Sequence, residues 1–458
     1  MLTLALIYLL FFAYLSWRRL DWAVMLIIFA LWSYLIRFSL LGFPITLLEA
    51  MIGIAFLVWL VKERQLVWQR FKHCFKRQAQ TKRYPFDWEI VILLIVSILA
   101  VVTAGWTDSA FGIWKAYFLE PIILFLLVFN VFGKNKEYSK IIYPLATSAL
   151  LISLIAIYQK LTGDFVVLEY WTAQAQRATS LFPYPNAVGL YLAPVAMLLV
   201  GWLGEIIKTK KSVWQIIGLS ATIALSILAI ISAQSDGALI AVIGAVIIFG
   251  LLVSRRWAMI TVALVVIAVM GLSLQAGLRQ KIVDKVTLFD LSGQIRQQQW
   301  KETWLMLQDG HWFLGAGLSN YQTVIKPYHQ EGIFVKNHDP KWLDKVLYDP
   351  VYHQAAWQPT EIYLYPHNIL LNFWTELGLL GALLFVWLIA KYLVIGLQNI
   401  FARQATNRYL TLGLIGAMIT IIIHGLVDVP YFKNDLAVLW WLLLAMLGMI
   451  NIHRKRLK

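Results

Sequence analysis

Two arginines of this chain are suited to bind a phosphate. Arg177 stands just before an apolar run that starts at Pro185, and Arg296 lies in the polar stretch SGQIRQQQWKETW, which has the pattern of a helix. A guanidinium can bind phosphate oxygens through two parallel hydrogen bonds. The alternative for Arg177 is a contact with lipid headgroups, and the alternative for Arg296 is a solvated position on a helix surface.

A histidine and an acid near the next apolar run are candidates for proton transfer. His367 follows Pro366 where a helix is expected to begin, and an imidazole can accept a proton near neutral pH. A helix cap or a headgroup contact is the alternative for this histidine. Glu376 lies nine residues further along, on the opposite face of that helix, so it is not predicted to partner His367. An acid inside a membrane-spanning segment is nevertheless a functional candidate.

Other patterns in the sequence predict structure or exclude a kind of site. The segment GAGLSNYQ, residues 315–322, lacks the lysine of a phosphate-binding loop and is predicted to be a structural turn. The histidines between residues 311 and 353 do not have metal-ligand spacing, so we expect neither a metal nor a cofactor. His424 and Asp428 are four residues apart and are predicted to pair on one face of a late helix. The single cysteine, Cys74, excludes an intramolecular disulfide.

The composition places these residues in a membrane protein. Of the 458 residues, 60% are hydrophobic and 14% are charged, whereas soluble domains are roughly half apolar and a quarter charged. A membrane-spanning helix needs about 20 apolar residues. Runs that approach this length cover residues 2–17, 22–36, 44–61, 89–105, 116–132, 140–158, 185–204, 214–231, 236–252, 258–275, 367–390, 410–427 and 436–452. The predicted fold is an all-α polytopic membrane protein with about 12–13 transmembrane helices and one large extracytoplasmic loop.

The basic residues predict how the chain is oriented. The net charge of +15 is concentrated in short segments between apolar runs, which is the positive-inside pattern of a membrane protein and argues against nucleic-acid binding. The most basic segment is 62–88. If it lies inside and the runs alternate, the following segments also lie inside: 133–140, 205–212, 254–256, 391–409 and the C-terminal tail. The N-terminal run has no cleavage site and is predicted to be a retained first span.

Three regions follow from this pattern. Residues 1–275 are predicted to form an N-terminal transmembrane bundle, 276–366 the large extracytoplasmic loop, and 367–458 the C-terminal transmembrane helices. A structureless loop of this length would be unusual in a compact protein. Periodic stretches such as QIRQQQWKETWLMLQ therefore predict short helices within the loop.

Taken together, the motifs resemble those of the O-antigen ligase and polymerase superfamily of membrane glycosyltransferases. The resemblance covers about residues 170–385. It consists of an arginine before F-x-x-P-N, a long loop with an arginine-bearing helix and a G-x-G-x-x-N-Y turn, and H-N-x-x-L-x-x-x-x-E-x-G-x-x-G at the next span. One departure is Ser235-Asp236-Gly237, where many relatives carry Ser-Arg-Gly. A negative charge replaces a positive one there, which puts a substrate role for this position in doubt.

The resemblance implies a type C glycosyltransferase architecture and a glycan donor carried on undecaprenyl diphosphate. It assigns diphosphate binding to Arg177 and Arg296 and activation of the acceptor hydroxyl to His367. The remaining motif positions are predicted to bind substrate: Asn186, Tyr321, Asn368 and Glu376. The implied transfer inverts the anomeric centre and needs no metal. The implied location is the bacterial inner (cytoplasmic) membrane, with the active site facing the periplasm or the cell exterior.

The predicted function is that of a ligase in cell-envelope polysaccharide or lipopolysaccharide biosynthesis. Its predicted partners are the lipid-linked donor, a glycolipid or glycan acceptor such as lipid A core, and membrane lipid. A polymerase that joins lipid-linked repeat units uses the same donor and is the alternative, and a protein O-oligosaccharyltransferase is a third outcome of the same chemistry. A transporter would be expected to carry charged or broken spans in two inverted halves, and the sequence has no evident internal repeat.

Overall fold

The chain is mostly helical in a computed structural model that describes residues 2–40, 42–64, 85–173, 176–402 and 407–456. Every predicted apolar run contains a helix in these ranges. Cys74 and the following basic residues of the segment 62–88 lie outside the described residues: Arg70, Lys72, Lys76, Arg77, Lys82 and Arg83.

Four helices near the N-terminus are shorter than a typical membrane span. They are α1 (Leu2–Arg18), α2 (Leu20–Phe29), α3 (Leu47–Lys62) and α4 (Asp87–Thr103). The longest have 17 residues, which at 1.5 Å per residue cover about 25 Å of a hydrocarbon core of about 30 Å. Between α2 and α3, a 3-10 turn (Leu31–Leu35) leads into an antiparallel hairpin of β1 (Arg37–Leu40) and β2 (Phe43–Thr46).

Nine helices in the described part of the chain are long and apolar enough to span a membrane. Six of them precede the large loop: α5 (Asp108–Phe132), α6 (Ser139–Thr162), α7 (Asn186–Lys208), α8 (Val213–Ser232), α9 (Asp236–Val253) and α10 (Arg255–Ser273). The loop contributes α11 (Ala276–Val286) and α12 (Leu291–Met306). The other three spanning helices follow it: α13 (Ile369–Ile400), α14 (Arg408–Gly425) and α15 (Asn434–Arg456).

This architecture confirms the prediction of an all-α polytopic membrane protein. The sequence predicted 12–13 spans. In the described residues, nine of the corresponding helices are long enough to span a membrane, and four at the N-terminus are shorter. In the runs 22–36 and 44–61, the interruptions near Arg37 and Pro44 form a hairpin, which leaves less of these two runs for helix.

The core of the bundle is built around α7 and α14. Gly201 of α7 faces Gly413 of α14, and a Cβ on Gly201 would lie 2.6 Å from the backbone nitrogen of Gly413. Small residues at a helix crossing let the two backbones approach closely. Helix α15 is buried along most of its length, whereas α10 has no buried residue and lies at the periphery.

The loop between α10 and α13 is structured, as the sequence predicted. After α12 come three short helices, Tyr321–Val324, Trp342–Tyr348 and Pro350–Ala356. Strands β3 (Gly332–Phe334) and β4 (Trp357–Pro359) pair antiparallel, with Phe334 opposite Trp357. A further short helix, Glu169–Ala173, precedes α7.

Candidate active site

Helix α12 positions the histidine that precedes α13. Gln299 Oε1 lies 3.1 Å from His367 Nδ1, and the next residue, Trp300, donates from Nε1 to the carbonyl of Pro366 over 2.8 Å. Arg296 lies three residues before Gln299 and therefore shares its face of the helix. One face of α12 thus carries an arginine and the hydrogen-bond partner of the imidazole.

His367 itself is not the cap of α13. The cap is Asn368, whose Oδ1 accepts hydrogen bonds from the amides of Leu370 and Leu371 at 3.0 and 3.1 Å. Its Nδ2 donates to the carbonyl of Leu426 over 3.1 Å. His367 has a φ of 46°, in the left-handed region that histidine adopts more readily than most residues. The capping role considered for His367 thus belongs to its neighbour, and the role of Asn368 in substrate binding stays a prediction.

The surroundings of His367 favour the neutral imidazole. Burial is the main influence and lowers its pKa from the ordinary value of 6.5; the carboxylate of Asp428 opposes this, and the positive charge of Arg296 lowers the pKa further. The oxygen of Gln299 faces Nδ1, an arrangement that fits the neutral tautomer with its proton on Nδ1. In that tautomer Nε2 has the lone pair that can accept a proton.

Arg177 is held by the backbone at the end of α8. Its Nε donates to the carbonyl of Ala233 over 3.1 Å, and its Nη2 donates to the carbonyl of Gln234 over 3.2 Å. The guanidinium also lies 5.5 Å from the ring centre of Trp171. Burial lowers the pKa of this guanidinium, but an arginine remains charged at any physiological pH. The side chain is therefore a fixed positive charge.

Asn186 and Asp428 extend this contact toward the end of α14. Nη2 of the arginine donates to Asn186 Oδ1 over 3.1 Å, and Asn186 Nδ2 lies 3.5 Å from Asp428 Oδ2. Asp428 Oδ1 accepts a hydrogen bond from the amide of Val429 over 2.8 Å. Among the described residues, the predicted pairing of His424 with Asp428 is limited to an interaction of charge, without a hydrogen bond between the two side chains. The reason is that α14 ends at Gly425, so the two residues are not one turn apart on a helix.

Arg296 has a hydrogen-bond donor without an acceptor. Its Nη1 donates to Ser292 Oγ over 2.7 Å, but its buried Nε has no partner among the described residues. A buried N–H without an acceptor is unfavourable and rare in folded proteins. An anionic oxygen bound at this position would satisfy it. The charge of Arg296 also lowers the pKa of His367, and Arg296 lies on the face of α12 whose Gln299 contacts that imidazole.

Lys433 is a further cation that the sequence reasoning missed. Its buried Nζ has no hydrogen-bond partner among the described residues and lies 4.1 Å from the ring centre of Tyr184 and 5.5 Å from that of Phe182. Burial lowers the pKa of this ammonium, while Asp435 and Asp428 oppose that shift. The available signal was a lone lysine in VPYFKNDL, a short segment between two late apolar runs.

The turn GAGLSNY docks onto a break in α13. Gly378 has φ 74° and ψ −178°, which interrupts the helix, and the amide of Leu379 donates to the carbonyl of Phe313 over 3.1 Å. The amide of Ala316 donates to the carbonyl of Thr375 over 2.6 Å. The residue at 378 must tolerate a conformation that L side chains rarely adopt. The predicted structural role of this turn is confirmed.

Glu376 and Tyr321 engage the protein on the two sides of this turn. The buried Glu376 accepts a hydrogen bond at Oε2 from the amide of Ser319 over 2.8 Å. The hydroxyl of Tyr321 lies 2.8 Å from Thr303 Oγ1, in a small buried cluster beneath the loop. The contact of Glu376 anchors the turn to α13, and the contact of Tyr321 joins the turn to α12. The predicted contact of both residues with substrate stays a prediction.

Asp236, where the chain departs from the usual motif, is paired with a lysine from the loop. Lys285 Nζ lies 2.6 Å from Asp236 Oδ2 and 3.1 Å from Asp290 Oδ2. A positive charge is thus present beside position 236, where many relatives carry an arginine, but here α11 contributes it through Lys285. The pair also ties the loop to the start of α9.

The described residues contain no group of three or more His, Cys, Asp or Glu side chains that could hold a metal ion. Four of the residues singled out from the sequence fall into two connected sets, whereas Tyr321, Asn368 and Glu376 make other contacts. Arg177 and Asn186 share a hydrogen bond, and Arg296 and His367 lie on and beside one face of α12. Asp428 links the sets, because it contacts Asn186 and its charge acts on His367.

Comparison with known proteins supports the resemblance drawn from the motifs. Residues 221–386 match the family model described as O-antigen ligase. The matched segment contains Arg296 and His367, whereas Arg177 and Asn186 precede it. Among curated proteins, none matches this chain.

Proposed function

We propose that this chain is a ligase that transfers a finished glycan from undecaprenyl diphosphate to a terminal acceptor. Its residues 221–386 match the O-antigen ligase family model. The family assignment supports a membrane glycosyltransferase of the ligase or polymerase type with a lipid-linked glycan substrate. The identities of the carrier and the acceptor and the reaction mechanism are our proposal. So is the location: the bacterial inner membrane, with the loop facing the periplasm or the cell exterior.

One observation carries this proposal: Arg296 and the neutral His367 lie on and beside one face of α12, and Asp428 connects this pair to two further cations, Arg177 and Lys433. Arg177 is held by α8, Arg296 by α12, and Lys433 precedes α15. The charge of Asp428 acts on His367 and Lys433. Its carboxylate also contacts Asn186, which accepts a hydrogen bond from Arg177. Such an arrangement suits a substrate with two adjacent phosphates and a nearby hydroxyl.

The cations would stabilise the leaving group. When the bond from the anomeric carbon to the diphosphate oxygen breaks, negative charge develops on that oxygen. Preorganised donors at the site of developing charge are among the most effective catalytic devices, and charge-assisted hydrogen bonds to phosphate are strong. Because the diphosphate is already a good leaving group, the mechanism needs no strong general acid. The buried Nε of Arg296 is the donor that a phosphate oxygen would satisfy.

His367 would act as the general base. The acceptor hydroxyl oxygen attacks the anomeric carbon, a new C–O bond forms, and the hydroxyl proton passes to Nε2 of the neutral imidazole. The electron pair of the broken bond leaves with undecaprenyl diphosphate. A single displacement of this kind inverts the anomeric centre. Gln299 would position the ring and stabilise the protonated form through its contact with Nδ1.

A polymerase that joins lipid-linked repeat units is the second candidate, and transfer to a protein hydroxyl is the third. All three use the same donor and need the same base and cations. The product distinguishes them. A ligase makes one transfer to an acceptor that is not on the carrier, whereas a polymerase makes a ladder of lengthening carrier-linked chains.

The proposal is tested by incubating the purified protein with undecaprenyl-diphosphate-linked glycan and lipid A core, and resolving the products by size. We expect a single discrete product whose formation is unchanged by a chelator, because we propose a metal-independent transfer. A carrier-linked ladder would replace the ligase by the polymerase. Loss of activity with chelator, restored by added metal, would contradict the proposed mechanism.

A conservative replacement of Lys433 tests its place in the donor site. Lys433→Gln removes the charge while keeping a similar length, and we expect the KM for the lipid-linked donor to rise about tenfold, the typical order for one charge-assisted hydrogen bond. Lys433→Arg should retain most of the affinity. Initial rates at varied donor concentration measure the effect. An unchanged donor KM in Lys433→Gln would show that this ammonium only packs between Phe182 and Tyr184.

A further inference from the structure

The loop contains a polar groove on the side of α12 that faces away from His367. It encloses about 670 Å³, within the usual range of roughly 300–1,000 Å³ for small-molecule sites. Its walls are the polar face of α12, the hairpin of β3 and β4, and Phe289. Amide and aromatic side chains predominate in the lining: Gln294, Gln297, Gln298, Gln330, Phe334 and Trp357.

Helix α12 presents two opposite faces to two different surroundings. Gln294, Gln297 and Gln298 follow the i, i+3, i+4 spacing of one helix face and line the groove. Arg296 and Gln299 lie on the other face, because a step of two residues turns a helix by about 200°. The groove is therefore separated from the catalytic histidine by about the diameter of one helix, roughly 10 Å. One rigid element positions both the base and the groove.

Several amide groups in the groove have unused hydrogen-bonding capacity. Gln297 and Gln298 each donate from Nε2, to the carbonyl of Leu288 and to Glu302 Oε1. Their Oε1 atoms accept no hydrogen bond from the described part of the chain, and the side chain of Gln330 forms none there. The protein thus fixes the orientation of the first two amides and leaves their oxygens directed at other partners. An amide can both donate and accept, as a sugar hydroxyl does.

Trp357 forms an aromatic platform at the edge of the groove. A Cβ on Gly332 would lie 2.6 Å from Cε2 of the Trp357 indole, so the missing side chain at 332 is what lets the ring lie on strand β3. The ring of Phe334 supports it edge-on at 4.9 Å. The indole is nevertheless 42% exposed. A supported but exposed aromatic face suits the apolar C–H face of a pyranose ring.

We infer that this groove binds glycan, holding sugar units that lie beyond the one that reacts at His367. The inference rests on the proposed function, since that function brings a glycan to this end of the molecule. Three observations favour a saccharide: amide oxygens that accept no hydrogen bond from the described residues, an exposed indole packed on a glycine, and the separation of one helix diameter from His367. The lining also contains Lys301, Lys336 and Glu331, whose charged groups can donate hydrogen bonds to sugar hydroxyls or accept them. The glycan is that of the donor or that of the acceptor.

The test measures binding of a free oligosaccharide to the full-length protein in detergent. The probe is the oligosaccharide released by mild acid from the surface polysaccharide of the native host, and calorimetric titration gives its Kd. We expect the wild type to bind, Trp357→Ala to weaken binding about tenfold, and Trp357→Phe to lie between the two. Gln330→Ala, which removes no side-chain hydrogen bond to the described residues, should weaken binding about threefold. The matched control is Tyr348→Ala, an exposed aromatic of the same loop outside the groove, which should bind as the wild type does.

Kinetics identify the source of the glycan. In Trp357→Ala we expect kcat to stay within about twofold and one KM to rise, because a distant contact made equally in the ground and transition states affects binding alone. A raised donor KM assigns the groove to the donor glycan, and a raised acceptor KM assigns it to the acceptor. Failure of the wild type to bind the probe, or equal Kd values in wild type, Trp357→Ala and Gln330→Ala, would overturn the inference. Binding that depends on Trp357 without any glycosyl transfer would instead overturn the proposed function and leave the groove assignment standing.

Discussion

Replacement of His367 by alanine is expected to lower kcat by two to four orders of magnitude, or about 10²–10⁴-fold, the range for loss of a general base. The KM for the lipid-linked donor should change little, because the proposed phosphate contacts come from other side chains. The measurement is the initial rate of glycan transfer at saturating donor and acceptor. His367→Gln is the closest control, since it keeps a polar side chain beside Gln299 but cannot accept a proton at neutral pH.

The same variant series has a pH signature. Burial lowers the pKa of His367 below 6.5, and the base must be neutral to act. The wild-type kcat/KM should therefore be flat above pH 6.5 and fall as the pH drops through the lowered pKa, with a slope of one proton. The residual rate of His367→Gln should lack this acid limb.

His338→Ala serves as a second control, because it removes a largely exposed histidine from the same loop. It should retain nearly full activity and the wild-type pH profile. If His367→Ala were as active as the wild type while remaining folded by thermal unfolding, the base would have to be sought elsewhere. An acid limb that persisted unchanged in His367→Gln would lead to the same conclusion.

Arg296→Gln is expected to reduce kcat by about 10²–10³-fold, the effect of removing one donor that stabilises developing negative charge. Arg296→Lys should recover part of the rate, because it restores the charge but not the planar fork of donors. Arg296 suits this test because it makes one hydrogen bond within the described part of the chain, to Ser292. Its loss should leave the fold intact. Single-turnover rates with bound donor isolate the transfer step.

A second readout separates an electrostatic role of Arg296 from a structural one. Its positive charge lowers the pKa of His367, so Arg296→Gln should raise that pKa and move the acid limb of kcat/KM to higher pH. Arg296→Lys should leave the limb near its wild-type position. Arg279→Gln, which removes another exposed charge of the loop, should change neither rate nor profile. A transfer rate for Arg296→Gln within threefold of the wild type would exclude Arg296 from the leaving-group site.

The turn that docks at the break in α13 has one property that the local sequence predicts and another that depends on long-range packing. The glycines of GAGLSNY predict a turn from their residue types alone. That the turn docks onto Thr375 and the bend at Gly378 depends on where α13 passes. The same packing engages Glu376 with the amide of Ser319. The helical periodicity of the sequence placed Glu376 and His367 on opposite faces, so it argued against a contact between them. It could not predict the hydrogen bond of Glu376 with the amide of Ser319.

By itself the sequence determined the membrane class, the helical character of each apolar run, the structured loop, and the residue types that point to glycosyl transfer. These are local properties: apolar length, periodicity and short motifs depend on neighbours along the chain, so they are visible without a fold. Only the tertiary structure decided which side chains meet. The contact of Gln299 with His367, the position of Lys433 between Phe182 and Tyr184, the pairing of Asp236 with Lys285, and the groove beside Trp357 join segments far apart in the chain. Such contacts depend on helix crossings and on where helices end, as at Gly425, and no local pattern encodes those.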